Sequence, residues 1–259
     1  MKEFRGRKTV FVAGKMLLIL LFLTAGVTTA AGASKILVLK GLGEKIYLPE
    51  NTFTSSGFSV ENAYLAKPFT GFTLDKPFPS NPGGLKGTKL IVLADIPASA
   101  LGGFMARRTL RQFVKNGGSL LVFGGPFSYG KGGVVGTPLA DILPVTTTGP
   151  WDMVKTGSSP RVKPTPNSPL TRGLAWSRNP VLYYSQKTIP KPKADVLLEA
   201  DGIPVLVTGR FGQGKVATFM GTYLGRGKGE ELFFYKWPGY KTLLNRVLLW
   251  LLSPRYSRP

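Results

Sequence analysis

The chain has 259 residues, 34 Lys and Arg against 13 Asp and Glu, and a formal net charge of +21, with no cysteine and no histidine. Disulfides, thiolate or imidazole metal ligands, and Cys-His or Ser-His-Asp catalysis are therefore excluded. A hydrophobic share of 43 % and a charged share of 18 % describe a globular chain rather than a disordered one.

The basic residues are scattered, apart from clusters at 2–8, at 107–111 and at the C-terminus. Such a balance attracts anionic lipid headgroups or an acidic envelope polymer. No tract has the density or motif of a nucleic-acid arm, so the sequence argues against nucleic acid as the partner.

In chain order, a basic stretch with Lys2, Arg5, Arg7, Lys8 and Lys15 precedes the apolar run Met16–Val27, and Ala31-Gly32-Ala33 follows as a small-residue cleavage pattern. This is the layout of a secretory signal. The apolar run is about 12 residues, short of the ~20 that span a bilayer. An uncleaved anchor running from Val10 to Ala33 is the competing reading, with Lys15 snorkelling. Either way residues 1–33 stand outside the fold, the domain runs from 34 to 252, and 253–259 form a basic tail. An extracytoplasmic location follows, secreted if the leader is cleaved and membrane-associated through the N-terminus if it is kept.

Lys35–Gly41 reads as a buried strand ending in glycine, and Phe58–Ala66 as a second strand. Between them, Pro49–Ser56 is expected to form a helix of about two turns. Pro68–Gly87, rich in Pro, Gly and Phe, reads as a long surface connection. Lys89–Asp95 is a buried strand. From Ser99 to Asn116, Leu101, Phe104, Met105, Leu110, Phe113 and Val114 recur at helical spacing, which predicts an apolar helix face. Asn116-Gly117-Gly118 ends that helix. Strand, helix and strand over 89–125 predict a right-handed βαβ unit with parallel neighbours.

Thr137–Pro144 reads as a short helix, and Trp151–Asn179 as an insertion with short irregular strands. Asp201-Gly202 joins two strand-like runs as a hairpin turn. Gly212–Lys215 is a second turn before Val216–Gly221. Three strands in a row predict an antiparallel extension of the sheet. Tyr240–Leu252 has the apolar spacing of a terminal amphipathic helix. The sequence thus predicts an α/β fold with a mostly parallel sheet.

The candidate site is Ser119–Gly133, a short apolar run that breaks into glycines. In open α/β sheets, ligands gather at the carboxyl ends of strands. Asp95, Gly124, Gly125, Ser128, Tyr129 and Gly130 are the candidate ligand-binding residues. Backbone N–H groups of this loop are expected to offer an anion site. Asp95 alternatively caps the following helix. Ser128 as a nucleophile needs a lysine base such as Lys131, since no histidine exists. Gly209 to Lys215 misses the Walker spacing, because Val216 follows the lysine, and no cofactor or metal motif is present.

The order of Lys89–Leu101, Asn116–Gly133, Thr137–Pro144, Ser168–Leu174 and Pro204–Ala217 resembles the class I glutamine amidotransferase-like superfamily, within it the envelope-associated group. The resemblance implies a flavodoxin-like three-layer sandwich. It also implies a nucleophilic cysteine at the turn after the strand that here ends at Phe123, completed by a histidine and a glutamate. That turn reads Gly124-Gly125-Pro126, so the triad is absent. Three functional readings follow. The first is a non-catalytic domain binding a ligand or an envelope protein. The second is a hydrolase or transferase on an acidic envelope substrate, using Ser128 or Asp95. The third is a basic protein adhering to anionic lipid or polymer.

Overall fold

The computed structural model describes residues 34–53, 57–66, 71–157, 160–166, 168–225 and 229–253. The expected signal or anchor and the tail beyond 253 lie outside the described residues.

The chain opens with β1 (Lys35–Lys40), α1 (Glu44–Tyr47), β2 (Ser59–Ala66) and β3 (Thr73–Leu74). It continues with β4 (Thr88–Ala94), α2 (Phe104–Lys115), β5 (Ser119–Phe123), α3 (Pro138–Ile142), β6 (Val145–Thr147), β7 (Met153–Lys155) and β8 (Val162–Pro164). Then come β9 (Tyr184–Gln186), β10 (Thr188–Pro190), β11 (Asp195–Ala200), β12 (Ile203–Phe211), β13 (Gly214–Phe219) and α4 (Pro238–Leu252).

The main sheet has nine strands in the order β3-β2-β1-β4-β5-β13-β12-β11-β8. Its centre, β2-β1-β4-β5-β13, is parallel throughout. That is the flavodoxin-like order, and the chain reverses direction across the sheet between β1 and β4, which is the topological switch point. The expected antiparallel extension is β13-β12-β11-β8. Asp201 and Gly202 both take positive φ, 49° and 73°, as the tight β11–β12 hairpin requires.

Of the central strands, β1, β4, β5 and β13 are buried on both faces, while β2 buries only Ala63. Ile36 and Val38 face a layer with Leu243, Leu244, Val247 and Leu251 of α4. Leu37 and Leu39 face Ala106 and Leu110 of α2 and Leu139 of α3. This gives the three-layer sandwich, with continuous apolar runs where both faces are covered. On the α4 side an aromatic array packs together. Tyr47 stacks on Phe123 at 5.1 Å, Tyr235 meets Tyr240 at 5.0 Å, and Trp176 lies 4.4 Å from Trp237.

Three local expectations are corrected. The first helix is Glu44–Tyr47, ahead of Pro49, and Asn51–Phe53 is a turn. Asn51 sits at φ 65°, which a helix does not allow. The second helix begins at Phe104, after a separate 3-10 turn over Ala98–Leu101. Gly102 and Gly103 break the phase between them, so Phe104 and Met105 point outward at 60 % and 54 % exposure while Leu101 is buried. The connection before β4 is not wholly on the surface, since Leu74, Phe78 and Leu85 enter the core.

Candidate functional site

At the switch point, the strand ends of β1, β4, β5 and β13 converge on Asp95. Asp95 is fully buried and takes φ 55°. A left-handed backbone is uncommon for a non-glycine residue, and aspartate tolerates it better than most. The turn carries the side chain sideways, toward the loop after β5. Its Oδ1 accepts from Phe127 N at 2.9 Å. The expected helix cap is thereby corrected: α2 starts at an N-cap of Gly103 with no side-chain bond, and Asp95 holds the neighbouring loop instead.

Gly41 and Gly125 let this packing happen. A Cβ at Gly41 would stand 2.6 Å from Ala94 O, and one at Gly125 2.7 Å from Asp95 Cβ, with the carboxyl closer still. Gly124 is equally crowded, since its Cβ would meet the Gln186 amide oxygen and stand 2.7 Å from Met220 O.

Distant residues complete the cluster. Gln186 of β9 donates from Nε2 to Gly125 O at 2.9 Å. The Tyr47 hydroxyl donates to Gly124 O and accepts from Tyr223 N at 3.1 Å. Tyr240 in turn donates to Tyr47 O at 2.7 Å. Asp152 accepts from Gly130 N at 2.9 Å through Oδ2. Tyr47, Gln186 and Asp152 carry no motif around them, so the sequence offered no signal for their part in the cluster.

Burial sets the protonation of this cluster. Desolvation pushes the Asp95 carboxyl up to about 7, with the Phe127 N–H pulling the other way. Asp95 Oδ2 has no hydrogen-bond partner among the described residues. A protonated carboxyl suits that environment, because burying the neutral form is far cheaper than burying the charge. Desolvation raises Asp152 as well, opposed by the N–H groups of Gly130 and Lys131.

The six candidate residues are thus brought together, but as packing rather than as an open pocket. Gly124, Gly125, Ser128, Tyr129 and Gly130 are all buried. Most of the N–H groups expected to offer an anion site are bonded within the protein. Gly124 N donates to Phe219 O, Ser128 N to Gly125 O, Gly132 N to Ser128 O and Val134 N to Tyr129 O. Ser128 is 1 % exposed and its Oγ donates to Gly125 O at 3.0 Å. Tyr129, at φ 51°, donates from its hydroxyl to Phe219 O at 3.3 Å. A cavity of about 870 Å³ lies elsewhere, lined by Lys40, Glu44, Pro49, Phe58 and Tyr64. The accessible part of the loop is its rim, where Lys131 Nζ sits 3.8 Å over the ring of Trp151, itself 76 % exposed. Among the described residues no three acidic side chains gather in a metal-binding group.

A parallel five-strand centre, helices on both faces and a glycine turn where β5 meets its loop define an α/β domain of the amidotransferase-like class. A family model described as "Putative glutamine amidotransferase" matches residues 60–253. The chain belongs to this glutamine amidotransferase-like family.

Solved structures share the fold. Cytoplasmic Protein STM3548 from Salmonella typhimurium is 22 % identical with a TM-score of 0.67, over 84 % of this chain and 98 % of that one. Cytoplasmic Protein STM1381 from Salmonella typhimurium LT2 is 22 % identical with a TM-score of 0.68, over 85 % and 100 %. A protein described as "Putative thua-like" from Bacteroides uniformis is 16 % identical with a TM-score of 0.54, over 85 % and 91 %. No curated protein matches the chain in sequence.

Proposed function

We propose that this protein is a non-catalytic amidotransferase-like domain that acts outside the cytoplasm, delivered or tethered by residues 1–33, and binds an envelope ligand or protein through the rim of the loop after β5. The observation that carries this is the absence of side-chain space at Gly124 and Gly125. The family resemblance puts the nucleophile of active members at this turn. Here one glycine is pressed against Gln186 and the other against Asp95, so the turn is filled from both sides by residues that a nucleophile would displace. The chain also has neither cysteine nor histidine to supply that chemistry.

Burial weakens the reading of Ser128 as a hydrolase nucleophile. Its hydroxyl is committed to Gly125 O, and the residue is buried. Lys131, its candidate base, points to Trp151 instead. The exposed Lys131–Trp151 pair is the feature suited to a partner, since a tryptophan face under an ammonium presents both apolar area and charge. The Salmonella neighbours are described as cytoplasmic, and the proposed location of this chain rests on residues 1–33 alone.

The test is ammonia release from glutamine by the purified full chain. We expect none from the wild type and none from Gly125→Cys, because the added side chain has no room. Turnover that survives controls for contaminating glutaminase would overturn the reading.

A further inference from the structure

We infer that the sheet edge at which the parallel strands begin is a docking surface for anionic lipid headgroups. Topology comes first. Lys35 stands opposite Thr88, Leu90 opposite Ser119, and Leu120 opposite Val216, so the starts of β1, β4, β5 and β13 lie level. Both described ends of the domain converge here. Lys35 N donates to Gly87 O at 3.0 Å. At the end of α4, Ser119 Oγ donates to Leu251 O at 2.7 Å and Lys215 Nζ to Trp250 O at 2.6 Å. The described chain therefore begins at this edge.

Charge is the second observation. Lys86, Lys89, Lys115 and Arg210 are exposed around the same edge. Lys86 and Lys89 flank the start of β4. Lys115 ends α2, and its carbonyl accepts from Gln213 N at 3.0 Å in the β12–β13 turn. Arg210 pairs in register with Lys215. Among the described residues, Lys86, Lys89 and Lys115 have no carboxylate partner. Glu61 on the adjoining β2 is already paired with Lys35 at 3.1 Å. Glu44, Asp95 and Asp201 all sit on connections at the opposite edge.

Shape is the third. A cavity of about 280 Å³ opens beside Lys89, lined also by Thr88, Gln112, Phe113, Asn116 and Gly117. The Thr88 hydroxyl is buried there without a hydrogen-bond partner. A hydroxyl donor and an ammonium on one concave wall suit the oxygens of a phosphate ester. Several unpaired cations on one face bind an anionic bilayer additively and lose that attraction in salt. Lipid is selected among polyanions because the sequence ahead of Ser34 carries the apolar run Met16–Val27. That choice rests on the proposed role of residues 1–33.

The chain has no cysteine, so a single introduced one reports position without background. Full-length Asn116→Cys and Leu42→Cys variants would carry a fluorophore at the basic edge and at the opposite edge. Each would be mixed with vesicles of phosphatidylcholine, alone or with phosphatidylglycerol, containing a headgroup quencher. We expect the Asn116 label to be quenched several-fold more in the anionic vesicles. High salt should reverse this, and so should combined Lys86→Glu, Lys89→Glu and Lys115→Glu substitution. The Leu42 label should stay unquenched in both. Equal quenching at Asn116 in neutral and anionic vesicles, or no response to salt, would overturn the inference. Heparin displacing the protein as readily as lipid binds it would also overturn it, in favour of a general polyanion surface. Binding to neutral vesicles tests the anchor separately. Its absence, with Asn116 still quenched in anionic ones, would sustain the surface and count against residues 1–33 as an anchor.

Discussion

Gly125 and Asp95 occupy one side-chain volume between them: the space a Cβ at Gly125 would need is filled by Asp95, whose own Cβ would be 2.7 Å away. The loop after β5 can close on the end of β4 only because position 125 has no side chain. Gly125→Ala should therefore destabilise the protein by about 1–3 kcal/mol, the range for overpacking a buried site. Urea unfolding would measure it. Adding Asp95→Ala should recover part of the loss, giving a coupling of about 1 kcal/mol or more. Strict additivity of the two substitutions would contradict the shared volume.

The raised pKa of Asp95 makes a signed prediction. An unfolded aspartate ionises near its ordinary value of 3.8, and the buried one near 7. Its folded-state proton therefore adds stability that is fully present below about pH 4. That contribution is lost as pH rises to about 7, at roughly 1.4 kcal/mol per pH unit. Tyr47 and Tyr223, the other ionisable groups that face it, stay neutral across this window, since burial raises both. Asp95→Asn should flatten the profile between pH 4 and 7 relative to wild type. Identical slopes in the two proteins would show that Asp95 is not the buried acid.

Tyr47 ties α1 to the Gly124 turn and to Tyr223 through one hydroxyl. Tyr47→Phe keeps the ring stacked on Phe123 while leaving Gly124 O and Tyr223 N without their partner. The cost should be about 1–3 kcal/mol, the penalty for orphaning buried backbone groups. Faster amide exchange at Tyr223, measured by NMR, should accompany it.

Lys215 is a buried ammonium that donates to the carbonyls of Trp250 and Ser253 at the end of α4. Desolvation lowers its pKa, and Arg210 adds to that. Lys215→Met should fray the last turn of α4 and cost about 1–3 kcal/mol. Hydrogen exchange confined to the end of the helix would show the fraying, and unchanged protection there would refute the capping role.

Much of the fold was legible because apolar runs at Lys35–Gly41, Lys89–Asp95 and Ser119–Phe123 have one physical use, a strand covered on both faces. The hairpin at Asp201-Gly202 was equally plain, because two consecutive positive φ angles need such residues. The α2 face was misread at Phe104 and Met105. Periodicity carried through Leu101 assumes one continuous helix, and Gly102-Gly103 interrupts it. At the site, Asp95 and the glycines were found by their place at strand ends, but their role was not. Tyr47, Gln186 and Asp152 reach the loop from 77, 61 and 22 residues away. Sequence patterns report neighbours a few residues apart, so a cluster assembled over such separations leaves no trace in them.

The contact of Trp176 with Trp237, 4.4 Å between ring centroids, joins the segment after β8 to the turn that starts α4. Trp176 is fixed by its indole N–H on Thr171 O at 2.9 Å, and Trp237 by its own on Ala175 O at 3.3 Å. Two indoles held so close and at a set angle couple their electronic transitions. They give the protein an optical signature that the solitary Trp151 and Trp250 cannot produce. Loosening the 171–178 segment would erase that signature while the β-sheet stayed intact. Circular dichroism could therefore follow this corner of the molecule alone, without any added label.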